Sequence, residues 1–273
     1  MNRPIEDPQK EPTATDIPEI SDMAMLLQHV AQYAGQILRD NAFSPRDIQY
    51  KKPGDPVTDL DKLVEKVIKE KILERMPANF IGEEYGLEAN GADYTFIIDP
   101  IDGTKSFIRK DFHTSISIAV EKDGEIIAGC IYDFMRDIMY TGTTEQTFCS
   151  YAGYPIPSTK RQIGNTKILI EGEDPKTAAQ LQSYDDISTR TRVGSIALAM
   201  ALLSEGSYEG MIIPPNNKGN VWDVAAGYFL LKQKGYHVTD YDGVPFNPHN
   251  QSNGLIALHP DIADKVTECL KET

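Results

Sequence analysis

Residues 94–104 read Tyr94-Thr95-Phe96-Ile97-Ile98-Asp99-Pro100-Ile101-Asp102-Gly103-Thr104. Tyr94 to Ile98 is a short apolar run that predicts a buried strand, and acids begin where it ends. Asp99 and Asp102 stand three residues apart around a turn, from which both carboxylates can converge on one cation. Pro100 restricts the backbone so that the Ile101 carbonyl can point inward as a further oxygen ligand. Gly103 and Thr104 open a short segment, Lys105 to Arg109, that can form one helical turn with its N–H groups facing an anion. Taken alone, Asp102-Gly103 is also an ordinary turn dipeptide. Oxygen-only donors favour Mg2+, with Mn2+ also fitting, over zinc; the chain has no CxxC or HxxxH pair to supply sulfur or nitrogen.

Other acids occupy similar positions. Asn79 to Gly82 predicts a second buried strand that ends in Glu83-Glu84, and Trp222-Asp223 stands at the start of a helix expected from Val224 to Lys234. Several carboxylates in one cleft repel, and protonation or a bound divalent cation must relieve that repulsion. Leu60, Leu63, Val64, Val67, Ile68 and Ile72 predict a helix after Thr58, its cap, with Pro77 beyond its end. Asp61, three residues after Thr58, either completes a capping box or is held for chemistry.

Outward from these motifs, residues 1–20 form an acidic, proline-rich segment expected to be a mobile tail. Met23 to Leu38 carries one apolar stripe at helical spacing, with Ser21 as its expected N-cap. Thr114 to Val120 and Glu125 to Phe134 predict a hairpin about the Lys122-Asp123-Gly124 turn. Further on, Lys167 to Ile170, Tyr236 to Thr239 and Leu255 to Leu258 are strand-like, while Ala197 to Leu203 and Asp261 to Leu270 are helical. The fold class is therefore α/β, with α+β layering of helices on sheets. Residues 21–273 are expected to make one domain in two halves, about 21–157 and 158–273, with no fixed-period repeat.

Composition narrows the function. The chain has 273 residues, 40% of them hydrophobic, and a net charge of −14. That charge repels nucleic-acid backbones and anionic membranes, so neither is an expected partner. Three cysteines without a CxxC pair do not resemble a secreted disulfide framework, and the longest apolar stretch, Ile196 to Leu203, is too short to span a bilayer; a cytoplasmic protein is expected. Ser195, in Val193-Gly194-Ser195, lacks the GxSxG pattern of a nucleophile and reads as a helix cap.

Together, Asp55-Pro56-Val57-Thr58-Asp59-Leu60-Asp61, Gly82-Glu83-Glu84, Asp99-Pro100-Ile101-Asp102-Gly103-Thr104 and Trp222-Asp223-Val224-Ala225-Ala226-Gly227 resemble the inositol monophosphatase family. The resemblance runs from about Ser21 to the C-terminus. It implies an αβαβα sandwich of the inositol monophosphatase/fructose-bisphosphatase type, a lithium-sensitive phosphatase with two or three Mg2+ ions, and a homodimer. Carried over by position, Glu83, Asp99 and the Ile101 carbonyl resemble a first metal site, and Asp99, Asp102 and Asp223 a second, with Glu83 also facing a third ion. The resemblance further implies that Asp61 and Thr104 orient the attacking water, that Gly103, Thr104, Ser195 and Asp223 contact substrate, and that Glu84 and Trp222 support them from behind.

The implied reaction is hydrolysis of a small phosphorylated metabolite, with inositol monophosphate or a related sugar phosphate as leading substrate. A 3′(2′),5′-bisphosphate nucleotidase, a histidinol-phosphatase and a fructose-1,6-bisphosphatase are alternatives on the same scaffold, and a noncatalytic phosphate-binding protein is the alternative outside enzymes. The stretch from Pro214 to Asn220 lacks the carboxylate that inositol-specific relatives tend to carry there, so the implied contact to a cyclitol hydroxyl is either missing or replaced by Asn216 or Asn217. Lys105, Arg109 and Lys110 either serve a second phosphate or form a solvated basic turn, and Arg190 and Arg192 are equally open.

Overall fold

The structure, a computed structural model, describes residues 20–44, 48–52, 55–156, 166–172, 174–191, 194–215 and 219–271. The expected tail up to Glu19, Arg192, Asn216 and Asn217 lie outside the described residues. In chain order the first elements are α1 (Ile20–Asn41), the antiparallel pair β1 (Ile48–Lys52) and β2 (Asp55–Thr58), α2 (Asp59–Leu73), β3 (Asn79–Gly82), β4 (Gly86–Glu88), β5 (Tyr94–Asp102) and α3 (Thr104–Arg109). A meander follows: β6 (Ser115–Lys122), β7 (Glu125–Asp133), β8 (Ile138–Thr143), β9 (Thr147–Tyr151) and β10 (Tyr154–Ile156). The rest comprises β11 (Thr166–Ile170), α4 (Pro175–Gln182), β12 (Ile187–Thr191), α5 (Ile196–Ser204), β13 (Gly210–Ile213), α6 (Val221–Gln233), β14 (His237–Thr239), β15 (Leu255–Leu258) and α7 (Pro260–Lys271).

Eight strands form one sheet in the order β10-β9-β8-β7-β6-β5-β3-β4, antiparallel except where β3 and β5 run parallel. Five form another, β12-β11-β13-β15-β14, in which β12, β11 and β13 are parallel. Strand alternation sorts the side chains into layers. Phe96 and Ile98 of β5 pack with Leu27, Val64 and Ile68 of α1 and α2, whereas Ile97 between them packs with Ala197, Ala225 and Ala226 of α5 and α6. In the smaller sheet Leu169, Met211 and Ala257 face α5 and α6, while Ile168, Ile212 and Ile256 face α4 and α7. The result is the expected αβαβα sandwich, with α5 and α6 between the sheets.

That central position explains why α5, reading Ile196-Ala197-Leu198-Ala199-Met200-Ala201, has no polar face: both of its sides are buried. Small residues let the layers approach closely. A Cβ on Gly227 of α6 would stand 2.5 Å from the Met200 Cβ, and one on Gly129 of β7 would stand 2.9 Å from the Ala226 carbonyl oxygen.

Several boundaries differ from the sequence reading. Ser21 lies inside the first turn of α1 rather than at its cap, because the helix already includes Ile20. The strand expected to stop at Ile98 continues to Asp102, since β6 resumes pairing at Asp102↔Ser115 after a break at Asp99–Asp102 that contains Pro100, which has no N–H to give. Helix α6 begins at Val221, with Asn220 as its cap, so Trp222 and Asp223 belong to its first turn. Among the described residues, no helix is long and apolar enough to cross a membrane.

Phe96 is fully buried between α1/α2 and the sheet. Phe96→Ala is expected to lower unfolding free energy by about 3–5 kcal/mol, read as a shifted urea midpoint at unchanged slope.

Candidate active site

The break in β5 separates Asp99 and Asp102 from the regular ladder and fixes each differently. Asp99 is 1% exposed, and its Oδ1 accepts the Ile101 N–H at 3.0 Å. The Ile101 side chain enters the core, while its carbonyl accepts the Thr104 hydroxyl at 3.1 Å. Asp102 Oδ2 accepts the Ser195 hydroxyl at 2.5 Å and the Ala197 N–H at 2.6 Å, tying the end of β5 to the start of α5. Ser195 is the N-cap of α5: its Oγ also accepts the Leu198 N–H at 2.8 Å. Gly103 follows with φ of 86°, where a Cβ would lie 2.8 Å from the His113 carbonyl oxygen and 2.9 Å from the Ser195 nitrogen. Both the left-handed backbone and the close approach require glycine there.

Asp61 resolves its two readings by dividing its oxygens. Oδ2 accepts the Thr58 N–H at 2.8 Å and the Thr58 hydroxyl at 2.5 Å, which closes the start of α2. Oδ1 lies 3.2 Å from the Thr104 hydroxyl, across 43 residues of sequence. The capping arrangement and the long-range contact use the same buried carboxylate.

Glu83 stands at the turn between β3 and β4, where its N–H donates to the Ile98 carbonyl at 3.1 Å, one residue before Asp99. Asp223 Oδ2 accepts the Asn220 N–H at the mouth of α6. One carboxylate oxygen each from Asp99, Asp102 and Asp223 lies within 4.8 Å of the others. Trp222 is partly buried against the layer formed by α5, α6 and the large sheet, and its carbonyl accepts the Ser117 hydroxyl at 3.0 Å. Glu84 is held through its N–H, which donates to Glu65 Oε2 at 2.7 Å.

This crowding moves the acids' ionisation. Burial first, then the charges of Glu83, Asp102 and Asp223, hold the Asp99 carboxyl well above the usual carboxylate range. The nearness of the Glu83 carboxyl adds to the shift, since a second acid beside Asp99 favours its protonated form. Burial and the Glu83 charge push Asp223 up to about 6, against the opposing effect of the Asn220 N–H. An all-oxygen cluster of this kind suits a hard divalent cation, whose charge would oppose the upward shifts.

The basic turn is engaged elsewhere. Arg109 Nε and Nη2 contact Asp111 Oδ2 at 3.1 and 2.8 Å, and Lys110 Nζ lies 5.5 Å from the centre of the Phe43 ring. Arg190 instead lines a cavity of about 280 Å³ beside Ser195, together with His113, Leu198, Leu202 and Tyr208. Residues the sequence reading missed include Ser115, whose Oγ is 2.8 Å from that of Ser195, and Glu65 beneath the Gly82-Glu83-Glu84 turn. Glu65 carried a signal: an acid four residues after Asp61, on the stripe of α2 that also holds Val64 and Ile68.

The sequence model of the inositol monophosphatase family matches residues 19–272. Nus factor SuhB of Escherichia coli (strain K12) is 32% identical over 91% of this chain and 98% of its own length. A fructose-1,6-bisphosphatase/inositol-1-monophosphatase of Aquifex aeolicus is 29% identical over 84% and 89%. The fold is also that of an IMPase/NADP phosphatase solved in complex with Mg2+ and phosphate, with a TM-score of 0.76, 17% identity, and 93% of this chain and 97% of that one covered. With its four acidic motifs gathered at one place and the family model matching nearly its whole length, the chain belongs to the inositol monophosphatase family.

Proposed function

We propose that this protein is a Mg2+-dependent phosphomonoesterase acting on a small phosphorylated metabolite, with inositol monophosphate or a related sugar phosphate as leading substrate. The observation that carries the reading is the meeting of the Asp99, Asp102 and Asp223 carboxylates beside the Asp61–Thr104 contact. Glu83, Asp99, the Ile101 carbonyl, Asp102 and Asp223 would hold two or three Mg2+ ions, and Mn2+ suits the same donors. Bound metal would supply Lewis-acid stabilisation of the phosphoryl and leaving oxygens and would acidify a water.

The chain's own residues do the rest. Thr104 can give its proton to Asp61 Oδ1 while its oxygen lone pair accepts one from the attacking water, so the pair aims that water at phosphorus. The Gly103 and Thr104 N–H groups would receive the phosphate. Ser195 and Ala197 hold Asp102, and Asn220 holds Asp223, so the carboxylates do not reorganise as charge develops. Water adds to phosphorus, the ester P–O bond breaks, and alcohol and inorganic phosphate leave.

Arg109, one of the cations that could serve a second phosphate, is paired with Asp111. The name Nus factor carried by the Escherichia coli relative raises a role without turnover, and catalysis is the arbiter. Phosphate release from inositol 1-phosphate, fructose 1,6-bisphosphate, histidinol phosphate and 3′-phosphoadenosine 5′-phosphate, with Mg2+ and with EDTA, tests the reading. Mg2+-dependent release from at least one supports it, and none from any opposes it. A homodimer belongs to the same proposal, and sedimentation is its check.

Asp102→Asn keeps an acceptor for Ser195 and Ala197 but removes a charge; kcat/KM is expected to fall on the order of 100-fold with an unchanged circular dichroism spectrum. Asp61→Asn should cut kcat by about 100-fold or more while Mn2+ affinity stays within a few-fold, and a loss confined to metal binding would reassign the residue.

The raised carboxyls also set a pH dependence. The metal-free fold binds more protons than the unfolded chain, so these groups' contribution to stability is complete below pH 3.8 and is lost as pH rises through about 6. Saturating Mg2+ should therefore raise the thermal midpoint more at pH 8 than at pH 5, measured by scanning calorimetry. Equal gains at both would count against cation binding by this cluster.

A further inference from the structure

Beneath the turn that carries Glu83 lies a carboxylate to which the proposed reaction gives no role. Glu65, in the middle of α2, is fully buried. Its Oε2 accepts the Glu84 N–H at 2.7 Å, and its Oε1 stands 2.7 Å from Lys69 Nζ. On the other side of Glu83, the Gly82 backbone rests on the same group: a Cβ at position 82 would lie 1.9 Å from Glu65 Oε1 and 2.4 Å from its carboxyl carbon. Lys69, whose side chain is 8% exposed, also reaches Glu88 Oε1 at 2.7 Å on β4 and lies 4.5 Å from the centre of the Tyr85 ring. The register pairs Gly82 with Gly86 and Phe80 with Glu88, so Glu65 and Lys69 fasten both arms of the β3–β4 hairpin.

A buried carboxylate is costly unless paired, and an apolar residue would serve a merely structural position in the stripe of Leu60, Val64 and Ile68 at less cost. Here it grips the residues before and after Glu83, whose own N–H is held by the Ile98 carbonyl next to Asp99 and whose charge acts on the Asp99 carboxyl. We propose that Glu65, braced by Lys69, is a positioning residue that fixes the Gly82-Glu83-Glu84 turn so that Glu83 presents its carboxylate to the cation cluster. The inference rests on the metal-dependent reading given above. Glu65 touches neither cation nor substrate in this account; it acts through the backbone on both sides of Glu83.

Support of this kind behind a ligand is worth about 10- to 100-fold in metal affinity. Mn2+ binding, followed by electron paramagnetic resonance on the full chain, is the direct readout. Glu65→Ala is expected to weaken it at least tenfold, whereas Glu65→Gln, which keeps an acceptor for the Glu84 N–H, should stay within about threefold of wild type. Ile72→Ala, a cavity in the same helix away from the turn, is the control: it lowers thermal stability without changing Mn2+ affinity. If Glu65→Ala does not fold, Gly82→Ala takes its place, since its Cβ must push the turn off Glu65 and produce the same loss. Wild-type affinity in a folded Glu65→Ala or Gly82→Ala protein, or an equal loss in Ile72→Ala, overturns the positioning role. Absence of Mn2+ binding by the wild type overturns the metal-dependent reading and this inference with it.

Discussion

Like charges brought together, Asp99 and Asp102 of them out of water, set the terms for this structure. Asp99, Asp102, Asp223 and Glu83 approach one another at the ends of strands and helices, and burial together with their repulsion holds the Asp99 and Asp223 carboxyls above the ordinary range. Such a cluster exists only if the rest of the fold resists its tendency to fly apart. The resistance is visible in the anchoring of each acid: Asp99 to the Ile101 N–H, Asp102 to Ser195 and Ala197, Asp223 to Asn220. Every one of these anchors is a donor at a helix start or a broken strand, where backbone N–H groups lack partners within their own element. The acids therefore neutralise the orphan donors, and the donors hold the acids.

Much of this could be read along the chain. Each acidic motif sits where a short apolar run ends or a helical stripe begins, and the elements expected around them are present: α2 after Thr58, β3 before Glu83, β5 before Asp99. Thr58 and Ser195 cap their helices as their sequence contexts suggest. Less legible were β8 to β10, where Met139-Tyr140-Thr141-Gly142-Thr143 is buried on both faces and shows no clean alternation. The four-residue β13, Gly210-Met211-Ile212-Ile213, is too short for a period to emerge. Its place between β11 and β15 is a tertiary fact, as is the contact of Glu65 with a turn 19 residues further on.

The two readings of Asp61 illustrate why local pattern and function were hard to separate. A capping acid and a proton-accepting acid look the same in sequence, because both follow a Thr by three residues at a helix start. In the structure the carboxylate caps the helix with one oxygen, on Thr58, and faces Thr104 with the other. The cap immobilises the side chain, as the proposed aiming of a water by Asp61 and Thr104 would require. A local rule of helix stability has thus become the rigid mount for a long-range contact.

The same economy operates between layers. Asp102 belongs to the large sheet, but its partners Ser195 and Ala197 open α5, and Asp223 opens α6; both helices are shared with the small sheet. The spacing of the cluster is then set by how closely α5 and α6 pack on each other and on β7, at Gly227 against Met200 and at Gly129 against Ala226. Those glycines lie in the core, away from the acids, yet any side chain there would separate the sheets and with them the carboxylates. Close packing leaves few ways to absorb such a shift, because an interior at crystal-like density transmits displacement rather than dissipating it. The spacing of the acids therefore follows from the fit of apolar surfaces several residues removed, and core and site are specified by the same contacts.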